Sequence, residues 1–327
     1  MSLTSPPSEL VALLQARASF VLAVHQGPDG DAAGSALGLY HALRSQGKAV
    51  QVVAPTPVPQ HYLWLPGAEH FAQAIEGTPE VALTLDCDGL ERVGDLQAAL
   101  RQSPVLVNID HHDSAQPFGD VRYTDRTAAA TAQLVYRLLQ ALGWPITEQI
   151  ATCLYTGIAT DTGFFRFENT EAWALREASE MVAAGASPTA IAEAVSETRS
   201  LARTRLLGRA LQGARQDRSG RLAWAVLTPQ DFRDSGAGAG DTEGIVDALK
   251  QVEGQQAVVL FKAPERDDQW QLSLRSRRAD VAAVARQFGG GGHVRAAGAE
   301  AAGSLAEVSA RVLAAVQAGL DDAETSS

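Results

Sequence analysis

With only two cysteines in 327 residues, Cys87 and Cys153, the chain cannot rest on a disulfide framework, and a reducing cytoplasm suits it. Long apolar runs are missing as well. No stretch approaches the ~20 residues that a bilayer-spanning helix requires, so no membrane partner is expected. The opening residues, Met1-Ser2-Leu3-Thr4-Ser5-Pro6-Pro7, carry no basic stretch followed by an apolar core, so no signal peptide is expected. Positive charge is also in deficit: 27 Lys and Arg against 38 Asp and Glu leave a net charge of −11. Coating long nucleic acid means neutralising many phosphates, which disfavours that class of function. A small anion could still be held by a local basic pocket together with metal ions.

What is present is ordinary for a globular protein: 46% hydrophobic and 20% charged residues, at a length that points to two domains. The first half alternates strands and helices. Short apolar runs at Phe20–Val24, Val50–Val53, Val81–Leu85 and Val105–Ile109 read as buried strands. Helical patterns cover residues 8–18, 90–101, 128–143, 146–159, 172–184 and 188–195, and a further helix follows the segment 25–35 through about residue 46. This order predicts an α/β fold, a mostly parallel sheet with helices on both faces. In such sheets ligands gather beyond the carboxyl ends of the strands.

Three of those strands end in the same kind of residue. The last runs into Asp110-His111-His112, a mixture of oxygen and imidazole donors that suits Mn²⁺, Fe²⁺ or Zn²⁺ better than Ca²⁺. The first runs into His25-Gln26-Gly27-Pro28-Asp29-Gly30-Asp31, where Pro28, Gly30 and Gly34 permit a tight strand-to-helix turn. Taken alone, that segment reads equally well as a solvated turn with Asp31 as a helix N-cap. The third strand ends in Asp86-Cys87-Asp88-Gly89. Independent polar turns would not agree so well, and a metal site is the better reading. Asp161 closes an otherwise apolar helix, where an unpaired carboxylate would be costly; a role beside a metal gives it a reason to face inward.

The second half reads as a smaller α/β unit, with strands at 222–227, 257–262 and 269–276 and helices at 281–288 and 304–316. The expected boundaries are 1–195 for the first domain, a basic linker helix over 196–218, the second domain over 219–320, and a disordered tail at 321–327. Gly236-Ala237-Gly238-Ala239-Gly240 follows no strand and reads as a flexible loop. More informative are Ser273-Leu274-Arg275-Ser276-Arg277-Arg278 and Gly289-Gly290-Gly291-Gly292-His293. Successive glycines can wrap an anion with backbone N–H groups, and arginines on a nearby strand can fork onto phosphate.

With Asp110-His111-His112 and the His25 motif in view, the chain resembles the DHH-family phosphoesterases. Its second half is similar to the DHHA1 domain through Ser273-Leu274-Arg275-Ser276 and Gly289-Gly290-Gly291-Gly292-His293. The likeness spans roughly residues 20–316, and the length is that of the nanoRNase/pAp-phosphatase subgroup. It implies a hydrolase of very short single-stranded RNA or DNA that also acts on 3′-phosphoadenosine 5′-phosphate (pAp). It implies two Mn²⁺ ions, with Mg²⁺ or Co²⁺ as substitutes. Carried over by position, the ligands are His25, Asp29, Asp31, Asp86, His111 and Asp161, with Asp86 between the metals. Asp86, His111 and His112 form the catalytic set, His112 facing the scissile phosphate. Arg275, Ser276, Gly291, Gly292 and His293 would hold a substrate phosphate or terminal nucleotide. Alternatives are a cyclic or linear dinucleotide phosphodiesterase and a non-catalytic nucleotide sensor. Apolar surface in the connecting helices would allow a homodimer without requiring one. One departure is visible: where the subgroup often carries consecutive serines after Asp125, this chain has Thr127-Ala128-Ala129-Ala130-Thr131.

Overall fold

In a computed structural model, residues 4–112, 117–196, 200–242 and 244–325 are described. The chain divides into two units, Met1–Thr198 and Arg199–Ser327. None of the helices in the described residues is long and apolar enough to cross a membrane.

The first unit is built on a six-stranded sheet in the order β3-β2-β1-β4-β5-β6, parallel throughout. Its strands are β1 (Ser19–Ala23), β2 (Ala49–Val53), β3 (Phe71–Ala72), β4 (Val81–Leu85), β5 (Val105–Asp110) and β6 (Val121–Thr124). The helices are α1 (Ser8–Ala16), α2 (Gly30–Ser45), α3 (Gln97–Leu100), α4 (Thr131–Leu142), α5 (Glu148–Asp161), α6 (Ala172–Ala183) and α7 (Pro188–Ser196). Side chains alternate across each strand, so the two faces build separate cores. Phe20, Leu22, Leu83, Val107 and Ile109 pack with α2, α4 and α5. Val21, Ala23, Ala82 and Leu106 pack on the other face with Val93, Leu96 and Leu100. Both faces are covered, as expected. Strand order reverses between β1 and β4, which opens a crevice at the carboxyl ends of these strands.

Antiparallel contact between α2 and α5 brings the amino end of one beside the carboxyl end of the other. Glycine makes this approach possible. A Cβ on Gly34 would lie 2.3 Å from the Cys153 carbonyl oxygen, and one on Gly157 would lie 2.7 Å from Asp31 Oδ1. Asp31 and Asp161 therefore end up on one side of the sheet.

The second unit has a mixed sheet, β11-β12-β10-β9-β8-β7. It comprises α8 (Leu201–Gln212), β7 (Arg215–Gln216), β8 (Leu222–Leu227), α9 (Pro229–Ser235), α10 (Ile245–Lys250), β9 (Ala257–Lys262), β10 (Gln269–Ser276), α11 (Val281–Arg286), β11 (Gly291–His293), β12 (Ala296–Ala302) and α12 (Leu305–Thr325). β8 and β9 are parallel and the remaining pairs antiparallel. α11 and α12 cover one face, α8, α9 and α10 the other.

Three expectations need correction. The span 196–218 is no free linker helix: Leu206 and Ala210 of α8 are fully buried in the second unit's core, and β7 joins its sheet. Residues 321–325, expected to be a disordered tail, continue α12, where Arg221 pairs with Asp321 at 2.9 Å and with Glu324 at 2.5 Å. Residues 197–199 of that linker and 326–327 of that tail lie outside the described residues. Finally, the helix expected over 90–101 is a 3₁₀ segment, Leu90–Leu96, followed by α3, because Gly94 takes φ +52°.

Candidate metal centre

Each candidate ligand stands where the backbone leaves regular structure. His25 lies two residues past β1, and Asp29 caps α2, its Oδ1 accepting the N–H groups of Asp31 and Ala32, both at 3.0 Å. The helix cap is thus Asp29 rather than Asp31. Asp31, fully buried, serves a different helix. Its Oδ2 accepts the N–H of Thr131 at 2.6 Å and its Oδ1 that of Ala132 at 2.9 Å. The first residue before α4, Ala130, has no capping side chain, so Asp31 satisfies orphan donors from about one hundred residues away in sequence. Asp86 follows β4 with φ +59°, a left-handed conformation that costs a non-glycine residue ~1–2 kcal/mol. Such an outlier fits a position that must turn its side chain into a site.

The side chains converge. Asp86 Oδ2 lies 3.5 Å from His25 Nε2, and Asp86 Oδ1 lies 3.6 Å from His111 Nε2. On one side, His25 Nε2 is also 3.9 Å from Asp29 Oδ1. On the other, His111 Nε2 is 3.2 Å from Asp161 Oδ2 and 3.9 Å from Asp31 Oδ2. Three groups could each hold a cation: His25, Asp29 and Asp86; Asp31, His111 and Asp161; and Asp86, His111 and His112. All six expected ligands fall in these groups. Most of the separations exceed a hydrogen bond, whose N···O distance is about 2.7–3.2 Å. They suit donors spread around a cation, since ligands ~2.1 Å from an octahedral ion stand roughly 3 Å apart. The imidazoles are aimed inward from behind: Nδ1 of His25 meets the Gln26 carbonyl at 2.9 Å, and Nδ1 of His111 meets the Ala128 carbonyl at 3.3 Å. A second hydrogen bond of this kind fixes which nitrogen is free to ligate.

Crowded acids set the electrostatics. Burial, reinforced by Asp86, Asp161 and Asp29, drives the Asp31 carboxyl well above the usual range. Burial, then Asp86 and Asp29, pushes Asp161 up to about 7. Asp86 goes the other way: burial opposes its ionisation, but His25, His111 and His112 outweigh it and keep it charged. Burial likewise disfavours a charge on His25, yet Asp86, the Gln26 carbonyl and Asp29 together raise it. His111 is lowered, chiefly by burial. His112 is raised to about 9, first by its 2.8 Å hydrogen bond with Asp110. A site that raises the carboxyls of Asp31 and Asp161 and the imidazoles of His25 and His112 is short of positive charge. Divalent cations fit that deficit.

Sequence reasoning missed several supports. Thr131 donates its hydroxyl to Asp86 Oδ1 at 3.0 Å, and Asn169 donates to the carbonyls of Ala129 and Asp161, both at 3.1 Å. Asp110, read only as part of a motif, holds His112. The Thr127–Thr131 departure therefore falls at the mouth of α4, where Thr131 touches the site through both its backbone and its hydroxyl.

The second unit treats its expected substrate residues differently. Arg275 pairs with Asp247 at 3.1 Å. Ser276 is buried; its hydroxyl donates to the Gln256 carbonyl and accepts the N–H groups of Arg278 and Ala279, so it braces a turn instead of facing a ligand. Gly291, Gly292 and His293 are exposed on β11. The glycine run is not a row of free N–H groups from its start, because Gly289 and Gly290 donate to the Arg286 and Ala285 carbonyls and close α11. Packing explains part of the glycine: a Cβ on Gly290 would lie 2.1 Å from the Gly298 carbonyl oxygen, and one on Gly292 2.6 Å from that of Ala296.

A doubly wound parallel sheet with acids and histidines converging at its switch point defines a class of α/β proteins whose site could hold metal ions. Residues 19–158 match the DHH family N-terminal domain and residues 221–320 match the DHHA1 domain; the chain belongs to the DHH family. It is 37% identical, over 90% of its length and 88% of the other, to the bifunctional oligoribonuclease and PAP phosphatase NrnA of Thermus thermophilus. Against the NrnA of Bacillus subtilis it is 30% identical, covering 89% and 92%. Among solved structures, an exopolyphosphatase-related protein of Bacteroides fragilis superposes with a TM-score of 0.85 at 28% identity, covering 96% of this chain and 95% of that one.

Proposed function

We propose that the chain is a metal-dependent phosphohydrolase that degrades oligonucleotides of two to five residues to 5′-mononucleotides and also removes the 3′-phosphate of pAp. One observation carries the reading: the two oxygens of Asp86 are directed to separate histidines, 3.5 Å and 3.6 Å away, each with further carboxylates beside it. One carboxylate serving two ligand groups is what a pair of adjacent cations requires. The names of the relatives support the substrate class, and the net charge of −11 argues against long nucleic acid.

His25, Asp29 and Asp86 would hold one Mn²⁺, and Asp86, His111, Asp31 and Asp161 the other, with Mg²⁺ or Co²⁺ as substitutes. Bound there, a pair of cations supplies activated water and stabilises charge growing on phosphoryl oxygens. The protein's own groups do the rest. Asp110 keeps His112 protonated and fixes its Nδ1, which leaves Nε2 of a half-exposed ring to donate to a phosphoryl or leaving oxygen. Thr131 and the Ala128 carbonyl keep Asp86 and His111 aimed. In the second unit, Arg275 and His293 would hold a phosphate or terminal nucleotide, as the family resemblance implies. Both cysteines are free and buried, which suits work in the cytoplasm.

The test is a substrate series with metal varied: pAp, a dinucleotide, a pentanucleotide and a 20-mer. The reading expects turnover of the first three with micromolar Mn²⁺ and little of the 20-mer. Intact dinucleotide and pAp under those conditions contradict it.

A further inference from the structure

Immediately after Asp161 the backbone does something costly. Gly163, Phe164 and Phe165 take φ +56°, +57° and +63°, three consecutive left-handed residues. For bulky residues this conformation is a genuine outlier, and strain of this kind persists only where surroundings enforce it. Here they do. The Phe164 N–H donates to the Ala159 carbonyl at 2.5 Å, Phe165 sets its ring edge-on to Tyr155, and Arg166 Nε donates to the Gly163 carbonyl at 2.7 Å. The loop is closed by Asn169, whose amide spans the carbonyls of Asp161 and Ala129. Both ends are therefore tied to the backbone that carries the metal-facing groups.

The product of this construction is Phe167. Its N–H donates to the Thr162 carbonyl at 3.0 Å, one residue from Asp161. Its ring lies on the bare Cα of Gly163, where a Cβ would stand 2.4 Å from the ring. Yet Phe167 is 57% exposed, and among the described residues no other phenylalanine, tyrosine or tryptophan is exposed. A single exposed apolar side chain normally needs no explanation. One that is braced by a strained loop and hydrogen-bonded to Thr162, the residue next to the candidate ligand Asp161, does.

We propose that the Phe167 ring is a platform on which a nucleobase of the substrate stacks, setting the nucleotide's register against the metal centre. The proposal rests on the nucleotide-hydrolase reading above and adds to it the group that recognises the base. Stacking is indifferent to base identity because every base presents a π face, so such a platform would grip short oligonucleotides of any sequence. Arg166, exposed beside it, adds a cation on the same loop.

Two measurements test the proposal, each on Phe167→Leu and Phe167→Tyr. In the first, kcat/KM is compared between a 5′-phosphorylated dinucleotide and the same molecule made abasic at one nucleotide or the other. The wild type should favour the base-bearing substrate by about 5- to 100-fold at one of the two positions. Phe167→Leu should bring that ratio close to one, and Phe167→Tyr should retain it. In the second, the fluorescence of 2-aminopurine riboside 5′-monophosphate is followed on binding to the Mn²⁺-loaded protein. Quenching that is lost in Phe167→Leu and kept in Phe167→Tyr supports the platform, even if the wild type hydrolyses nothing and the hydrolase reading falls. Undiminished quenching or an unchanged ratio in Phe167→Leu overturns the platform while leaving that reading standing.

Discussion

Asp31 closes the amino end of a helix to which it does not belong: its carboxylate accepts the backbone N–H of Thr131 at 2.6 Å while facing His111 Nε2 at 3.9 Å. The same side chain is helix cap and candidate ligand. Asp31→Ala should therefore injure the fold as well as the site. Two buried N–H groups would lose their acceptor, at about 1–3 kcal/mol for the unsatisfied donors. Urea unfolding in the presence of chelator measures this loss without the metal's contribution. A variant as stable as the wild type there would show that the cap matters little.

Thr131 acts at one remove. Its hydroxyl donates to Asp86 Oδ1 at 3.0 Å, so Thr131→Val keeps the shape and removes only that hydrogen bond. Groups in this position typically govern metal affinity by about 10- to 100-fold. Titration calorimetry with Mn²⁺ should show a loss in that range for Thr131→Val and near-wild-type affinity for Thr131→Ser. Equal affinities in all three proteins would remove Thr131 from the account.

The acid cluster predicts a definite pH response. Asp161, raised to about 7, and Asp31, raised well above its usual range, bind protons more tightly when folded than when unfolded. The stabilisation that Asp161 brings to the metal-free protein is complete below the unfolded carboxylate pKa, about 4, and is lost as pH climbs through about 7; Asp31 acts in the same direction. Metal-free protein should thus melt at a lower temperature at pH 8 than at pH 6. Cation binding must expel these protons, so Mn²⁺ affinity should rise from pH 6 to pH 8. Calorimetry in buffers of different ionisation enthalpy counts the protons released; a count of zero contradicts the assignment.

Much of this was legible in the sequence, for local reasons. Val81–Leu85, Leu222–Leu227, Ala257–Lys262 and Gln269–Ser276 form strands at the expected bounds, since β-rich composition and apolar content mark them without help from the rest of the chain. The three strand-end motifs converge because a parallel sheet leaves them little choice. β12, Ala-Ala-Gly-Ala-Glu-Ala-Ala, could not be foreseen: its composition does not favour a strand, and pairing with β10 and β11 imposes one. Gly94 broke a helix that the apolar spacing had suggested. Neither the cap that Asp31 gives α4 nor the hydroxyl that Thr131 gives Asp86 leaves a trace in local sequence, because each spans many residues. Ser276 misled for the opposite reason: a polar residue beside two arginines looked like a ligand contact and instead anchors a buried turn.

The central claim is that Asp86 joins two cations, and metal counting tests it most directly. The wild type, loaded with Mn²⁺ and freed of excess, should carry two ions per chain by elemental analysis, with the magnetic coupling of a close pair in its electron paramagnetic resonance spectrum. Asp86→Ala should retain at most one, lose that coupling, and hydrolyse the dinucleotide slower by about 10²–10³-fold or more. Two coupled ions and wild-type turnover in Asp86→Ala would contradict the account at its root.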